Sequence, residues 1–261
     1  MAASRMTRRR LLQSSLGAMA AKLVVPVAAR AALRDRVVIV NADDLGLSAE
    51  IDRGIFEAHD GGIVTSASLL VDAPDAEAAI QEIRKRPRLG LGIHVAFDSR
   101  LKWLIDPQDL DMVQRELDRQ LEAFMRLTGG PPDHIDSHHH VHRRFNIAHL
   151  FLKAGERYHA PVRGFSEVVY IGKFYGQPEL GKTDMSKVSV EALVALLRSL
   201  KPGIYEVSCH PGHLETRPDA LYNEERVAEL SALTDQRVKT VMTEEGIQLV
   251  NYRDYARLRS R

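Results

Sequence analysis

The stretch Arg36-Val37-Val38-Ile39-Val40-Asn41-Ala42-Asp43-Asp44-Leu45-Gly46 begins as an apolar, β-branched run and ends on two adjacent carboxylates. A short apolar run of this kind reads as a buried strand. Just beyond it, Ser48 supplies an N-cap, with Glu50 behind it, for a helix over 48–59. The same succession recurs down the chain. Candidate strands at 36–41, 63–71, 89–97, 134–138, 161–165, 204–210 and 247–250 alternate with helical periods at 48–59, 75–86, 107–127, 146–158, 189–200 and 223–233. That alternation builds a parallel sheet through βαβ units. An open doubly wound sheet and a closed barrel both fit it, and periodicity does not separate them. The polar residues add a hint, because they fall where strands end, at the face that carries the chemistry of a parallel barrel. Residues 172–187 have no clear period and read as a long surface loop over the site.

Composition narrows the partner. The chain has 261 residues, 44% apolar and 27% charged, which suits one soluble domain with one large core. Lys plus Arg (36) nearly cancels Asp plus Glu (35), so no net field draws nucleic acid. A small molecule is the expected partner, and the oligomeric state stays open, a homodimer included. Cys209 is the only cysteine, which excludes an intrachain disulfide and any multi-cysteine zinc site.

The N-terminus stands apart. Thr7-Arg8-Arg9-Arg10-Leu11-Leu12-Gln13 sets a twin arginine before an apolar stretch at 16–29 that is too short and Ala-rich to span a bilayer, and Ala29-Arg30-Ala31 offers a cleavage site. Residues 1–31 therefore read as a twin-arginine export signal, placing the mature protein in the periplasm without a stable membrane span. The alternative is a basic amphipathic helix on a cytoplasmic protein.

Four segments carry the candidate chemistry. Asp43-Asp44 is stable as a pair only if a cation neutralises it or one carboxyl keeps its proton, although a capped loop would use the same residues. His94, in Gly92-Ile93-His94, is a core histidine or a ligand, depending on its company. The segment His134-Ile135-Asp136-Ser137-His138-His139-His140-Val141-His142 holds five of the 11 histidines. On a strand, His134, Asp136 and His138 share one face. Pro211-Gly212 turns the chain directly after His210. Together the segments offer one carboxylate and two imidazoles to a divalent cation, with positions left for water and substrate, as in metal-assisted hydrolysis. Cys209 and Ser137 alternate away from the residues of interest, and no Gly-x-Ser-x-Gly elbow is present, so a covalent nucleophile is not expected.

In this order and spacing, Asn41-Ala42-Asp43-Asp44-x-Gly46, Gly92-x-His94, His134-x-Asp136-Ser137-His138-His139-x-x-His142 and His210-Pro211-Gly212 resemble the YdjC family of carbohydrate deacetylases, over about 37–255. The resemblance implies a deformed TIM-like (β/α) barrel of about seven parallel strands and hydrolysis of an N-acetyl group on an amino sugar. It implies Asp43 as general base and His210 as general acid. Asp44, His94 and His138 would be ligands of one divalent ion, magnesium by family likeness, with zinc or another transition metal also compatible. The assignment between Asp43 and Asp44 is open to exchange. Arg163, Asp136 and His142 are the remaining candidates, as substrate contacts; for Arg163 a surface ion pair is an equal alternative. Val95-Ala96-Phe97 departs from the family's usual Leu-Asn-Leu, and the interval from His94 to the histidine cluster is short, which suggests a more open cleft. An export signal points toward an envelope glycan or glycolipid. Two rival functions use the same residues: a glycoside hydrolase pairing Asp43 or Asp44 with Asp136, and a periplasmic metal-binding protein.

Overall fold

Strand β1 (Arg36–Leu45) is the axis of the sheet in the computed structural model, which describes residues 35–99, 102–179, 181–216 and 220–259. The export-signal stretch 1–31 lies outside the described residues. After β1 come α1 (Ala49–Asp60), β2 (Ser66–Leu69), α2 (Ala76–Ile83), β3 (Gly90–Val95), the short hairpin β4 (Asp98–Ser99) and β5 (Lys102–Trp103), and α3 (Leu110–Thr128). The second half runs through β6 (Ile135–Ser137), α4 (Ala148–Tyr158), β7 (Val169–Ile171), α5 (Val190–Ser199), β8 (Gly203–Cys209), α6 (Glu224–Thr234), α7 (Gln236–Glu244), β9 (Ile247–Leu249) and α8 (Tyr252–Arg259).

Every pairing in the main sheet is parallel, in the order β6-β3-β2-β1-β8-β7, with β9 also on β1. No pairing joins β7 to β6 among the described residues, so the sheet curls into an incompletely closed barrel with helices around it. Val37 to Val40 are all at most 2% exposed, as a central parallel strand covered on both faces requires. Val38, Val40 and Ala42 pack toward the helices, whereas Val37 and Ile39 join Val168, Val250, Tyr252 and Tyr255 in a second cluster on the inner face. Asn41 and Asp43 continue that inner face toward the C-terminal rim. The lumen is thus apolar at one end and polar at the other.

Several elements differ from the sequence reading. Segment 161–165 forms no strand; Val162 makes a single bridge to Ile135 before Gly164, at φ 73°, turns the chain. The edge strand is β7 instead, too short to declare itself by alternation. The strand expected over 134–138 stops at Ser137, and His138–Arg143 coils into a 3-10 turn with His139 and His140 in left-handed conformation. Helices α7 and α8 were not foreseen. Ser48 does cap α1, its hydroxyl accepting from the Ile51 amide at 3.4 Å.

Candidate active site

Two neighbouring residues on a strand face opposite ways, yet Asp43 and Asp44 both line the cavity at the end of β1. The register of β1 slips between Ala42 and Leu45, and Asp44 takes a left-handed φ of 69° that swings its carboxylate round to join Asp43. The turn is held by Leu47, whose amide donates to the Asp44 carbonyl at 3.1 Å. Such a conformation costs a non-glycine residue about 1–2 kcal/mol, and its retention marks a working position.

Asp44 faces His94 on β3 and His138 just after β6. Its Oδ1 lies 3.4 Å from His94 Nε2 and 3.1 Å from His138 Nδ1. This oxygen is buried and makes no hydrogen bond of acceptable geometry, although two imidazole nitrogens flank it. Donor atoms about 3 to 3.5 Å apart are what ligands at about 2.1 Å from one ion present to each other. The three donor atoms all lie within 4.8 Å of one another. The other Asp44 oxygen accepts from Arg226 Nη2 at 2.5 Å. Burial opposes the Asp44 charge, and Arg226 with His138 overrides it, holding the carboxyl well below its usual range.

Behind this trio, His94 Nδ1 donates to Asp136 Oδ1 at 2.7 Å, with Ser68 Oγ at 3.2 Å, which leaves Nε2 free for the cavity side. A carboxylate behind a ring nitrogen fixes tautomer and orientation in metal-binding imidazoles. Burial works against a proton on His94, but Asp136 and then Asp44 and Asp43 outweigh it and lift the imidazole to about 10. The pocket therefore favours positive charge at this point, whether a proton or a cation.

Asp43 is gripped by Arg163, whose Nη1 and Nη2 each donate at 2.7 Å, and Asn41 Nδ2 adds a third bond at 2.9 Å. Arg163 also meets Asp136 at 2.6 Å and Glu206 at 2.7 Å. Burial again opposes the Asp43 charge, and Arg163 holds the carboxyl below its usual range. The remaining direction of Asp43 looks toward His210, whose Nε2 is 3.8 Å from Oδ2. His210 packs edgewise against the ring of Tyr222 and tilted against that of Tyr175, with its Nδ1 3.8 Å from Glu229 Oε1. Burial brings this imidazole down to about 4, against the pull of Asp43 and Asp44, so it is neutral at physiological pH. Glu229, fully buried, is pushed up to about 8 by that burial.

The three residues expected to touch substrate stand behind the wall instead. Arg163 is 1% exposed and its guanidinium is saturated by carboxylates, so the surface ion pair is excluded and a direct substrate contact is out of reach. Asp136 spends its oxygens on His94 and Arg163. His142 Nε2 donates to the Arg163 carbonyl at 3.1 Å, and its Nδ1 accepts from Ser137 Oγ at 2.5 Å. The histidine cluster disperses as well. His139 pairs with Asp98 at 2.6 Å, His140 bonds the Tyr170 hydroxyl at 3.0 Å, and His134 stacks on Tyr252 at 4.0 Å. Only His138 reaches Asp44. Sequestration of several ions by the cluster is thereby disfavoured, and Asp136 cannot serve a glycosidase from its buried position. Cys209 is buried with its thiol raised well above the usual value, first by that burial, and supplies no nucleophile.

Sequence reasoning missed Glu206, Arg226 and Glu229. Glu206 had a signal: it alternates with Ser208 and His210 on β8, a carboxylate inside an otherwise apolar strand. Arg226 and Glu229 had none, since charged residues at three-residue spacing on a helix normally face water.

The cavity holds about 1010 Å³, enough for more than one small ring. A sequence model of the family described as YdjC-like protein matches residues 37–244. The chain belongs to the YdjC-like family. The family suggested by the motifs is thus the family found. Over 254 residues the chain is 33% identical to the carbohydrate deacetylase of Geobacillus stearothermophilus, covering 85% of this chain and 99% of that one. It is 32% identical over 254 residues to the chitooligosaccharide deacetylase of Proteus mirabilis, covering 84% and 98%. A crystal structure from Enterococcus faecalis V583, described as a cellobiose-phosphate cleavage protein, matches with a TM-score of 0.73 at 27% identity, covering 85% of this chain and 99% of that one. A family 4 carbohydrate esterase from Streptomyces lividans shares the fold, with a TM-score of 0.54 at 12% identity over 84% and 93% of the two chains.

Proposed function

We propose that this YdjC-like protein removes the acetyl group from an N-acetylated amino sugar, in an oligosaccharide or glycolipid, with one divalent ion held by Asp44, His94 and His138. The observation that carries the reading is the buried Asp44 Oδ1, without a hydrogen bond and flanked by two imidazole nitrogens at 3.1 and 3.4 Å. Charge supports it. The buried carboxylates Asp43, Asp44, Asp136 and Glu206 face the two guanidiniums of Arg163 and Arg226, and a dication restores neutrality. The second acidic grouping, Asp43 with His94 and Asp136, is already occupied by Arg163. Two imidazoles among three donors favour a transition ion such as zinc over magnesium. When bound, the ion supplies a Lewis acid that polarises the acetyl carbonyl and acidifies water.

The chain's own residues divide the proton work. Asp43, oriented by the Arg163 fork, takes the proton of the attacking water. His210, neutral at rest and across a gap of 3.8 Å from Asp43, receives the proton that Asp43 has taken from the water and passes it to the departing nitrogen, which leaves as the amine of the sugar. The gap matches a site where one atom of substrate or water bridges the two groups. The tight hold on Asp43 fixes its direction at some expense of basicity.

Acetate release from N-acetylglucosamine oligosaccharides and acetylated glycolipids, with protein stripped of metal and then reconstituted, tests the reading. Reconstitution should restore turnover. Acetate release that survives a chelator, with new reducing ends appearing, would favour the glycosidase alternative. We further propose export by the twin-arginine route. Replacement of Arg8 and Arg9 by Lys should retain the protein in the cytoplasmic fraction; unchanged fractionation would reject the route.

A further inference from the structure

One feature of the cavity remains unused by this chemistry. The rings of Tyr175 and Tyr222 are stacked at 4.7 Å between centroids and only 4° from parallel, beside His210. Tyr222 is the fixed member. Its hydroxyl accepts from the Gly176 amide at 2.7 Å and donates to the buried Glu229 carboxyl. The segment carrying Tyr175 is pinned close by: Gln177 Nε2 donates to the Leu221 carbonyl at 2.7 Å and to Glu225 at 2.8 Å, and the Asp184 amide donates to the Gly176 carbonyl at 2.7 Å. Tyr175 itself lines the cavity and keeps 36% of its surface exposed. One face of its ring is covered by Tyr222, so the exposure belongs to the rest of the ring. Its centroid is 5.2 Å from that of His210.

The position has a consequence for substrate. If His210 Nε2 is within hydrogen-bond reach of the departing nitrogen, about 3 Å, the ring carbon bearing that nitrogen lies about 4 to 5 Å from Nε2. The sugar ring is then brought up against Tyr175. A pyranose presents axial C–H groups on one face, and an aromatic ring is the surface that receives such a face while its rim of hydroxyls stays with water or polar side chains. Lys173 and Lys187 also line the cavity. We infer that Tyr175, backed by Tyr222, is the stacking platform for the pyranose ring that carries the departing amine, an inference that rests on the deacetylase reading for the direction of the substrate. The platform is built before substrate arrives, because both tyrosines are already parallel and the backing ring is hydrogen-bonded at its hydroxyl. A preformed surface loses little freedom on binding.

The test compares Tyr175→Ala with Tyr175→Phe and Tyr175→Trp on a doubly N-acetylated glucosamine disaccharide, following steady-state acetate release, calorimetric affinity and metal content. Tyr175→Ala should raise KM and Kd roughly 5- to 20-fold while kcat and bound metal stay near the wild-type values. Phe and Trp, which keep a flat ring, should restore affinity. The platform is overturned if Tyr175→Ala leaves KM and Kd unchanged, if Phe is as impaired as Ala, or if kcat falls at constant KM. Failure of the two ideas is distinguishable. Wild-type protein that binds the disaccharide without releasing acetate, with binding weakened in Tyr175→Ala, upholds the platform and rejects the deacetylase reading. Acetate release with KM and Kd unaltered in Tyr175→Ala does the reverse.

Discussion

Arg163 sits behind the cavity wall with its guanidinium shared among Asp43, Asp136 and Glu206, and each carboxylate is stable in its buried place only while that cation is present. Arg163→Met should therefore lower stability by about 3–5 kcal/mol, since removing one partner strands buried charge. Thermal denaturation measures it. Arg163→Lys should fare little better, because one ammonium cannot span both oxygens of Asp43 and reach two further acids. The residues facing the cavity separate by their effect on the ion. His138→Ala should abolish both metal content and turnover. Asp43→Asn should keep the metal and lose the rate by about 10²- to 10⁴-fold. Elemental analysis beside acetate kinetics decides between them; metal lost in Asp43→Asn and kept in Asp44→Asn would exchange the two roles. His210→Ala should lower turnover with little change in metal content, and a large fall in occupancy would make His210 a ligand.

The elements matter through where they touch. Helix α1 crosses the turn that follows His210 so closely that a Cβ on Gly54 would lie 2.4 Å from the Gly212 Cα. Gly54→Ala must push the helix and the His210-Pro211-Gly212 turn apart, at a cost of about 1–3 kcal/mol. Turnover should fall with unchanged metal content, because the displaced turn carries His210 and not the three proposed ligands. Two residues closer to the N-terminus of that helix, Asp52 accepts from the Gly46 amide at 2.6 Å. Burial pushes this carboxyl up to about 7 from 3.8, despite the bond from Gly46. A folded state that holds a proton more tightly than the unfolded state loses stability as pH rises, here from about 4 to about 7, and then levels off. Asp52→Asn keeps an oxygen acceptor and removes the charge. Its melting temperature should exceed that of the wild type at pH 8 and match it near pH 4; equal pH profiles would refute the assignment.

Across the whole molecule, the inner face of the curled sheet is divided between an apolar plug and a polar rim. Helix α8 supplies Tyr252 and Tyr255 to the plug, and the Tyr252 hydroxyl donates to Glu206 on β8 at 2.6 Å, so the plug supports the acid cluster gathered around Arg163. The rim carries an excess of buried negative charge that a divalent ion would relieve. Chelation should lower the melting temperature, and resupplying the ion at about 100 times its Kd should return about 2.7 kcal/mol, as for any ligand bound only by the folded state. A melting temperature indifferent to chelator would remove the ion from the proposed site.

Strand and helix alternation, the two adjacent aspartates at the end of the first strand, His94 and the His210-Pro211-Gly212 turn were all legible in the sequence, because apolar period and turn chemistry are local properties. The YdjC-like family was legible from the same motifs. The fate of the histidine cluster was not. Which of five histidines meets Asp44 depends on two left-handed residues, His139 and His140, that end the strand pattern and send the rings in different directions. Arg163, Asp136 and His142 read as substrate contacts in the chain, with a surface ion pair as the alternative for Arg163, but folding placed them behind the wall, since burial of a charged side chain depends on partners far away in sequence. Arg226 and Glu229 looked like the solvent face of a helix. Only the packing of α6 over the end of β1 turned them inward, and a contact between residues almost two hundred positions apart leaves no local trace.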